Sequence, residues 1–414
     1  MVAKDILRVL YAPHKVFKDI IQKPGYLGPF ILLIIFVLAQ VGGAYVVASR
    51  SYIETTAPQT VPLSGQGDLW TEDAALWKTN EGVTVSNNTA DYINGTYFTT
   101  SIEFTASNAS NVWMELNFDG SVNCSVGGFQ NVSFRVKLLA PDVAPENVSL
   151  YLNSLSGSNF YYDLTTEFSN SVVNVWNNIT LPVGVGSEGW VSNGATWESI
   201  TGLKLDFTWL NSADVDLRID WLFFKGDYEG LLELYDISYL ANAALNAFAP
   251  FLFEWLLLTG LMYLMIKGLK GNVVWKPLMV AVGFALITIV IQAAILAVVY
   301  TSLPNVYYPI EVLTGVPGEF EVGYQVILDE IASVNLVGVI IQAAMWVWTV
   351  ALGTFVTRAI TSDKKIAEQA SMGKTASETT VSGEVTGFSW MKCLLVSGAS
   401  LFLTSIILGF LLGM

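Results

Sequence analysis

Long apolar runs and short alternating runs divide this chain into two kinds of sequence. Crossing a bilayer core takes about 20 apolar residues, and five runs reach that length. They predict transmembrane helices over 29–48, 247–266, 278–300, 334–357 and 393–414. Between the first and second of these, strand-like runs such as "NVWMELNF" and "GLKLDFTW" recur between turn residues. Short strands at this spacing are typical of an antiparallel β-sandwich, which we expect over 52–226.

The clearest strand is "DVDLRIDWLFF" at 214–224. Its residues alternate with a period of two, as in a strand with one buried face. The set expected to face the core is Leu217, Ile219, Trp221 and Phe223, and the opposite set is Asp216, Arg218, Asp220 and Leu222. The pattern therefore predicts a membrane α-helical bundle of five transmembrane helices with an inserted all-β sandwich domain.

Composition and charge extend this prediction to an orientation. The chain has 414 residues, of which 53% are hydrophobic and only 13% are charged, about half the charged share of soluble proteins. Its net charge of −15 is unevenly distributed, because acids dominate 52–226 and 303–332 while bases dominate 1–28 and 267–276. By the positive-inside rule we expect a multi-pass plasma-membrane protein with a cytoplasmic N-terminus. The sandwich and the C-terminus would lie outside.

The N-glycosylation motifs indicate the same orientation. Seven N-x-S/T sequons occur, all of them within 52–226, and they predict N-linked glycans on an outside domain. They begin at Asn87, Asn94, Asn108, Asn123, Asn131, Asn147 and Asn178. The chain has only two cysteines, Cys124 and Cys393, so it offers no disulfide framework.

Two further segments flank the predicted spans. Residues 1–28 have helical apolar periodicity interrupted at Pro13, which predicts a cytoplasmic amphipathic helix. This helix would lie on an anionic leaflet or pack under the bundle. Residues 361–389 are polar and rich in Ser, Thr and Gly, so we expect a flexible cytoplasmic loop or a partner-binding segment.

Two resemblances to known families accompany these patterns. "YAPHKVFKDIIQKPGYLGPFILLIIF" (11–36) resembles the start of the YIP family of Ypt/Rab-GTPase-interacting five-span membrane proteins, in particular its prokaryotic and archaeal branch. The resemblance implies a non-enzymatic scaffold or sorting protein. Two departures stand out: the first external loop, which is short in the family, here holds a whole domain, and the eukaryotic Asp-Leu-Tyr-Gly-Pro motif is absent. Rab binding is therefore not implied.

The second resemblance concerns the sandwich. "NVSFRVKL", "VSLYLNS", "WNNITLPVG", "WESITGLKLDF" and "LRIDWLFF" resemble the jelly-roll sandwiches of carbohydrate-binding modules and galactose-binding-like domains. This implies that the inserted domain is a jelly roll. In such domains an aspartate of the last strand helps to bind a structural calcium, and Asp220 is the matching residue here.

A ligand face is suggested by "NVWMELNFDG" (111–120). One side of this strand is apolar and is expected in the core; it consists of Val112, Met114, Leu116 and Phe118. The opposite side, which would face outwards, includes Trp113, Glu115 and Asn117. Arg135 and Lys137 have outward parity in the next strand. An exposed Trp among amides and a carboxylate suits a sugar ring. A protein contact and a simple solvated face are alternative interpretations.

The predicted helices contain few polar residues. Glu254 is the one ionisable residue deep in a span, and three amides accompany it at mid-span positions, namely Gln40, Gln292 and Gln342. Amides commonly join transmembrane helices by hydrogen bonds. The alternative is a polar path for a proton or cation.

Enzyme signatures are absent from the sequence. There is one His, and no C-x-x-C, H-E-x-x-H, G-x-S-x-G or Walker motif. We therefore expect a non-enzymatic scaffold, adaptor or accessory subunit without cofactors other than calcium and N-linked glycans. Its expected partners are the lipid bilayer, other membrane or cell-surface proteins and glycans, but not nucleic acid. The alternative function is a transporter or channel component around Glu254.

Overall fold

The chain forms two compact units in a computed structural model. A helical unit comprises Met1–Arg50, Tyr235–Pro304 and Glu330–Met414, and a β unit comprises Ser51–Leu234 and Asn305–Asp329. The structure describes residues 2–59, 70–94, 99–169, 173–316, 318–363, 366 and 387–412.

Ten α-helices occur in this described part of the chain. They are α1 (Val2–Tyr11), α2 (Pro13–Gln22), α3 (Leu27–Ala48), α4 (Thr165–Ser169), α5 (Leu231–Gly268), α6 (Trp275–Ala285), α7 (Ile287–Val299), α8 (Ile310–Thr314), α9 (Glu319–Ser362) and α10 (Trp390–Leu412). Among these described residues, five helical stretches are long and apolar enough to cross a membrane, as the apolar runs predict: Leu27–Ala48, Ile237–Gly268, Trp275–Ser302, Glu319–Ser362 and Trp390–Leu411. Several of them extend beyond the predicted apolar runs, most of all the fourth.

The N-terminal segment forms two helices, α1 and α2, that meet at Ala12. Pro13 opens α2, where its missing N–H leaves no hydrogen bond unmade. The apolar face of the pair belongs to the core of the helical unit, with Val9, Phe17 and Ile21 all at most 2% exposed. Of the two interpretations, this burial favours packing against the bundle. The predicted 361–389 loop lies largely outside the described residues.

The described residues of the β unit form eleven strands joined in one hydrogen-bonded sheet. They are β1 (Ser51–Ala57), β2 (Trp77–Thr79), β3 (Val83–Asn88), β4 (Ser101–Val122), β5 (Asn131–Ala140), β6 (Asn147–Ser154), β7 (Asn159–Asp163), β8 (Asn177–Pro182), β9 (Val191–Asn193), β10 (Ile200–Gly230) and β11 (Val306–Tyr308). The pairings between these strands are antiparallel, except that β1 and β11 run parallel.

The long strands β4 and β10 take part in two ladders, because their register shifts midway, between Thr208 and Ala213. Ladder I has the order β3–β4–β10–β5–β8 and uses 101–109 of β4 and 213–225 of β10. Ladder II has the order β2–β4–β10–β6–β7–β9 and uses 111–122 of β4 and 200–208 of β10. Their apolar residues share one buried cluster, as the two inner faces of a sandwich do.

The predicted alternation of 214–224 holds only as far as Asp220. Trp221 has a φ of 55°, and the register with β5 shifts between Asp220 and Phe223. Such a bulge inserts an extra residue and reverses the direction of the side chains that follow. The expectation that Trp221 and Phe223 share the core of Leu217 is therefore wrong. They form a separate cluster with Val316, while Leu222 and Phe224 enter the main core.

The acidic segment between the third and fourth apolar runs is more than a connecting loop, because residues 305–329 are built into the β unit. Strand β11 extends the sheet at β1, where Ser51 pairs with Val306. The backbone N–H of Ile310 donates to the buried Glu54 carboxylate at 2.8 Å. Lys225 of β10 forms an ion pair with Glu311.

Candidate functional site

The outward-facing positions of ladder II form a row that crosses four strands. Opposite one another across these strands lie Glu115, Lys204, Tyr151 and Tyr161. The neighbouring position adds Trp113 opposite Asp206. Inward neighbours on the same strands, such as Met114 and Leu205, are fully buried, so the core holds the row in place. We call this row the aromatic face; it consists of Trp113, Glu115, Tyr151, Tyr161, Lys204 and Asp206.

Lys204 lies at the centre of the aromatic face. Its Nζ is 4.9 Å from the centroid of the Trp113 ring and 5.7 Å from that of Tyr151. It also lies 3.3 Å from a carboxylate oxygen of Asp206. The rings of Tyr151 and Tyr161 are 5.4 Å apart and tilted by 51°. Rings and charges thus alternate across a half-exposed surface.

Amide side chains border the aromatic face and orient its two carboxylates. Asn153 Nδ2 donates to Glu115 Oε1 at 3.2 Å, and Asn111 Nδ2 donates to Asp206 Oδ1 at 2.6 Å. The third predicted polar residue, Asn117, follows Glu115 on the same side of β4 and is exposed. Each carboxylate keeps further lone pairs for a ligand hydroxyl.

Sequence reasoning found only the β4 half of this face. Tyr151, Tyr161, Lys204 and Asp206 were not among the predicted site residues. The alternation in "VSLYLNS" and "GLKLDF" indicates which residues face outwards, but the sequence does not indicate which strands pair with β4. The pairing of β4 with β10, and of β10 with β6, brings them beside Trp113.

Arg135 and Lys137 do not belong to this face, so the predicted five-residue ligand set is wrong in that part. Both lie on β5, which belongs to ladder I. Arg135 is only 4% exposed, because its guanidinium lies over the Trp221 ring at 4.4 Å and forms an ion pair with Glu319. Lys137 donates to Asp91 at 2.8 Å. These cations have partners within the chain and are not open to a ligand.

The ion pair of Lys137 belongs to a larger network on ladder I. Asp91 also pairs with Arg218, whose Nη2 lies 2.6 Å from Glu103 Oε1. Burial alone raises the pKa of Asp91, but hydrogen bonds from Lys137 and Arg218 outweigh that effect and lower it. The network therefore holds Asp91 as the anion.

Asp220, the predicted calcium residue, is completely buried. Burial raises the pKa of its carboxyl to about 8, although two backbone N–H groups oppose that shift. Ile93 N donates to Oδ2 at 2.6 Å, and Trp221 N donates to Oδ1 at 2.7 Å. Calcium needs six to eight oxygen ligands, and no group of three or more His, Cys, Asp or Glu suited to a metal occurs in the described ranges. The described surroundings of Asp220 thus do not fit calcium.

The seven sequon asparagines all lie in the β unit. Asn131 is half-buried and paired on both sides within ladder I. The other six are exposed, namely Asn87, Asn94, Asn108, Asn123, Asn147 and Asn178. Glycosylation of any of them stays a prediction.

The polar residues of the helical unit do not form a joint site. No hydrogen bond links Glu254, Gln292, Gln342 and Gln40 within the part of the chain that the structure describes. Gln40 and Gln342 are exposed on the surface of the unit. Gln40 lines a separate cavity of about 480 Å³ together with Asn246. Both a transport path around Glu254 and interhelical hydrogen bonds by these groups stay predictions.

Comparisons with known proteins add little to this geometry. No protein-family model and no curated protein matches the chain. Among solved structures, the chain is similar to the family 11 carbohydrate-binding module from Clostridium thermocellum in complex with a β-1,3-1,4-mixed-linked tetrasaccharide. That likeness has 11% identity and a TM-score of 0.25, over 41% of this chain and 94% of that one.

Two further structures are matched over smaller shares of their own length. A carbohydrate-binding module of the β-sandwich superfamily is 13% identical with a TM-score of 0.25, over 38% of this chain and 58% of that one. An exo-β-agarase is 10% identical with a TM-score of 0.28, over 36% of this chain and 23% of that one. At these TM-scores the likenesses do not bear on the function of this chain.

Proposed function

We propose that this chain is a non-enzymatic, membrane-anchored scaffold or accessory subunit that binds a glycan through the aromatic face. The helical unit would lie in the plasma membrane, and the β unit would be displayed outside. One observation carries the proposal: a chain with five span-length helices also folds a separate β unit, whose sheet presents three aromatic rings interleaved with charged groups.

The composition of the face suits a sugar better than a protein. Sugar rings stack their C–H surfaces on aromatic side chains, and their hydroxyls bond to carboxylates, amides and ammonium groups. The centres of protein interfaces are depleted of charge, whereas here Glu115, Lys204 and Asp206 stand among the rings. A sugar that stacks on Trp113 displaces the Lys204 ammonium, which has a flexible stem and three donors to offer the ligand in turn.

The charge distribution and the sequons support the orientation. The basic N-terminal segment and the basic 267–276 loop belong to the cytoplasmic side under the positive-inside rule. All seven sequons then belong to the outside. The resemblance of residues 11–36 to the YIP family accords with a scaffold that has no catalytic role.

The test is glycan binding by the full chain in detergent, measured on a glycan array with Trp113→Ala as the variant. Loss of one stacking ring should weaken binding by about tenfold or more, while the β-sheet circular dichroism stays unchanged. The matched control is Trp176→Ala, the same substitution away from the aromatic face, which should bind as the wild type does.

Three other results would each count against glycan binding. Equal binding by both variants removes the aromatic face as the site. Loss of a stoichiometric co-purifying protein on Trp113→Ala, without any glycan signal, makes the face a protein interface. Collapse of the sheet signal on that substitution makes Trp113 a structural residue.

A further inference from the structure

A cavity of about 400 Å³ in the helical unit collects side chains from three helices. Helix α2 contributes two cationic or titratable groups, α9 contributes an arginine, and α10 contributes its first residue, a tryptophan. The residues that matter for the argument are His14, Lys18, Phe355, Arg358, Ser362 and Trp390. None of them takes part in the aromatic face or in the predicted polar path.

Arg358 has the geometry of a residue that can bind an anion. Its guanidinium carbon lies 4.0 Å from the centroid of the Trp390 ring. Cation–π contact engages the face of a guanidinium and leaves its N–H donors, which lie in the plane, free to form a bidentate pair. No ion pair or side-chain hydrogen bond uses these donors within the described residues. An arginine held in this way is ready to receive a planar or tetrahedral oxyanion.

The other ionisable side chains among the described lining residues are basic, as Arg358 is. Lys18 and His14 are exposed at its edge, and none of its described lining residues is a carboxylate. Asp19, the next residue on α2, is directed to Arg8 at 3.2 Å instead. Two positive charges, with no carboxylate among the described lining residues, favour an anion whose charge is shared by several oxygens, as in phosphate.

The remaining wall is apolar. Phe355 and Trp390 meet edge to face, with ring centroids 5.5 Å apart and an interplanar angle of 89°. Trp390 is 50% exposed, which is a large aromatic surface to leave uncovered. Ser362 Oγ donates to the Arg358 carbonyl at 2.8 Å, so its lone pairs remain for a ligand donor. The cavity thus joins a cationic side to an apolar side.

We propose that this cavity binds a phosphate group that carries an apolar portion. Arg358 and Lys18 hold the phosphate oxygens, and the apolar portion covers Phe355 and Trp390. Two sources present this chemistry, an anionic phospholipid headgroup and a soluble phosphate ester.

The experiment titrates the full chain in detergent micelles with phosphatidylglycerol, phosphatidylcholine or phenyl phosphate, and counts bound molecules by native mass spectrometry. Phosphatidylglycerol should bind more tightly than phosphatidylcholine. Arg358→Gln should weaken that binding by about tenfold or more, the usual factor for losing a charge-assisted hydrogen-bonding group. Lys18→Gln should also weaken it. The matched control is Lys15→Gln, which removes the same charge from the same helix outside the cavity.

The outcomes separate the sources and the alternatives. If phosphatidylglycerol binds tightly, and Arg358→Gln and Lys18→Gln weaken its binding more than Lys15→Gln does, the site is supported and its ligand is a lipid. If phenyl phosphate binds, is weakened by the same variants, and phosphatidylglycerol does not bind, the site is supported with a soluble phosphate ester as its ligand. Equal effects of Lys15→Gln and Arg358→Gln, or equal binding of the two lipids, would overturn the proposal. Arg358→Lys guards against misfolding, since it keeps the charge and should retain part of the affinity.

Discussion

The two ladders of the β unit both direct charged residues away from the core, but these charges have different neighbours. On ladder I, Lys137 and Arg218 are paired with Asp91 and lie largely covered. On ladder II, Lys204 contacts Trp113 and Asp206 and stays half-exposed. The first arrangement stabilises the fold, and the second leaves groups that can exchange their partners for a ligand.

The comparison teaches that a residue on the outward side of a strand is not thereby accessible to a ligand. Parity states only which side of a strand a residue occupies. Whether that side meets solvent depends on other segments of the chain. Glu319 covers Arg135 and Asp91 covers Lys137, from positions distant in sequence. On ladder II the described residues bring no such ionic partner from outside the sheet to Lys204.

Among the substitutions that remove an ion pair, the largest expected effect comes from breaking the network of ladder I. Arg218→Met leaves Asp91 and Glu103 without a shared partner in a largely covered site, which should cost about 3 kcal/mol of unfolding free energy. Lys204→Met removes a half-exposed pair and should cost about 0.5 kcal/mol or less. Urea unfolding of the full chain in detergent, followed by the β-sheet circular dichroism, measures both.

The comparison of the two ladders depends on the ratio of these two losses of unfolding free energy. Equal destabilisation by Arg218→Met and Lys204→Met would show that ladder I is no more dependent on its charges than ladder II, and the comparison would fail. A large cost for Lys204→Met alone would make the aromatic face a structural element.

A second effect concerns pH, acts through Asp220, and is spread over several pH units. Burial gives the folded state a pKa of about 8, against an ordinary 3.8. The folded state therefore retains a proton that the unfolded state releases, and this stabilisation is complete below about pH 4 and lost as the pH rises towards 8. The unfolding free energy should fall across that window by at most about 1.4 kcal/mol per pH unit.

Asp220→Asn removes the titrating group and should flatten the pH dependence, whatever its effect on absolute stability. The measurement is unfolding at several pH values from 4 to 8 for both proteins. Parallel curves would mean that Asp220 remains an anion held by the N–H groups of Ile93 and Trp221.

The sequence predicts those features that depend on local periodicity. Apolar length predicts the five span-length helices, and alternation predicts the buried Val112, Met114 and Leu116. Pro13 correctly indicates the break between α1 and α2. In each case the physical signal lies within a few residues of the feature that it determines.

The features that it misses depend on distant segments or on one backbone angle. The pattern of "LRIDWLFF" does not indicate the positive φ of Trp221. That angle nevertheless reverses the side of the sheet to which the following side chains point. Likewise, no pattern in 305–329 indicates that Glu311 will meet Lys225. Half of the aromatic face was missed for the same reason, because Tyr151 reaches Trp113 only through the pairing of strands far apart in sequence.

The smallest expected effect is that of adding calcium. It tests whether the polar groups of ladder I have their partners without a metal. The sequence resemblance implies a calcium at Asp220, whereas both carboxylate oxygens already accept hydrogen bonds from backbone N–H groups. A site saturated to 100 times its dissociation constant adds about 2.7 kcal/mol of stability, or roughly 5–10 °C in melting temperature. We expect no shift between calcium and a chelator, measured by thermal unfolding. A shift of that size would mean that ladder I, like the aromatic face, has groups free to bind a ligand, and the contrast between the two ladders would disappear.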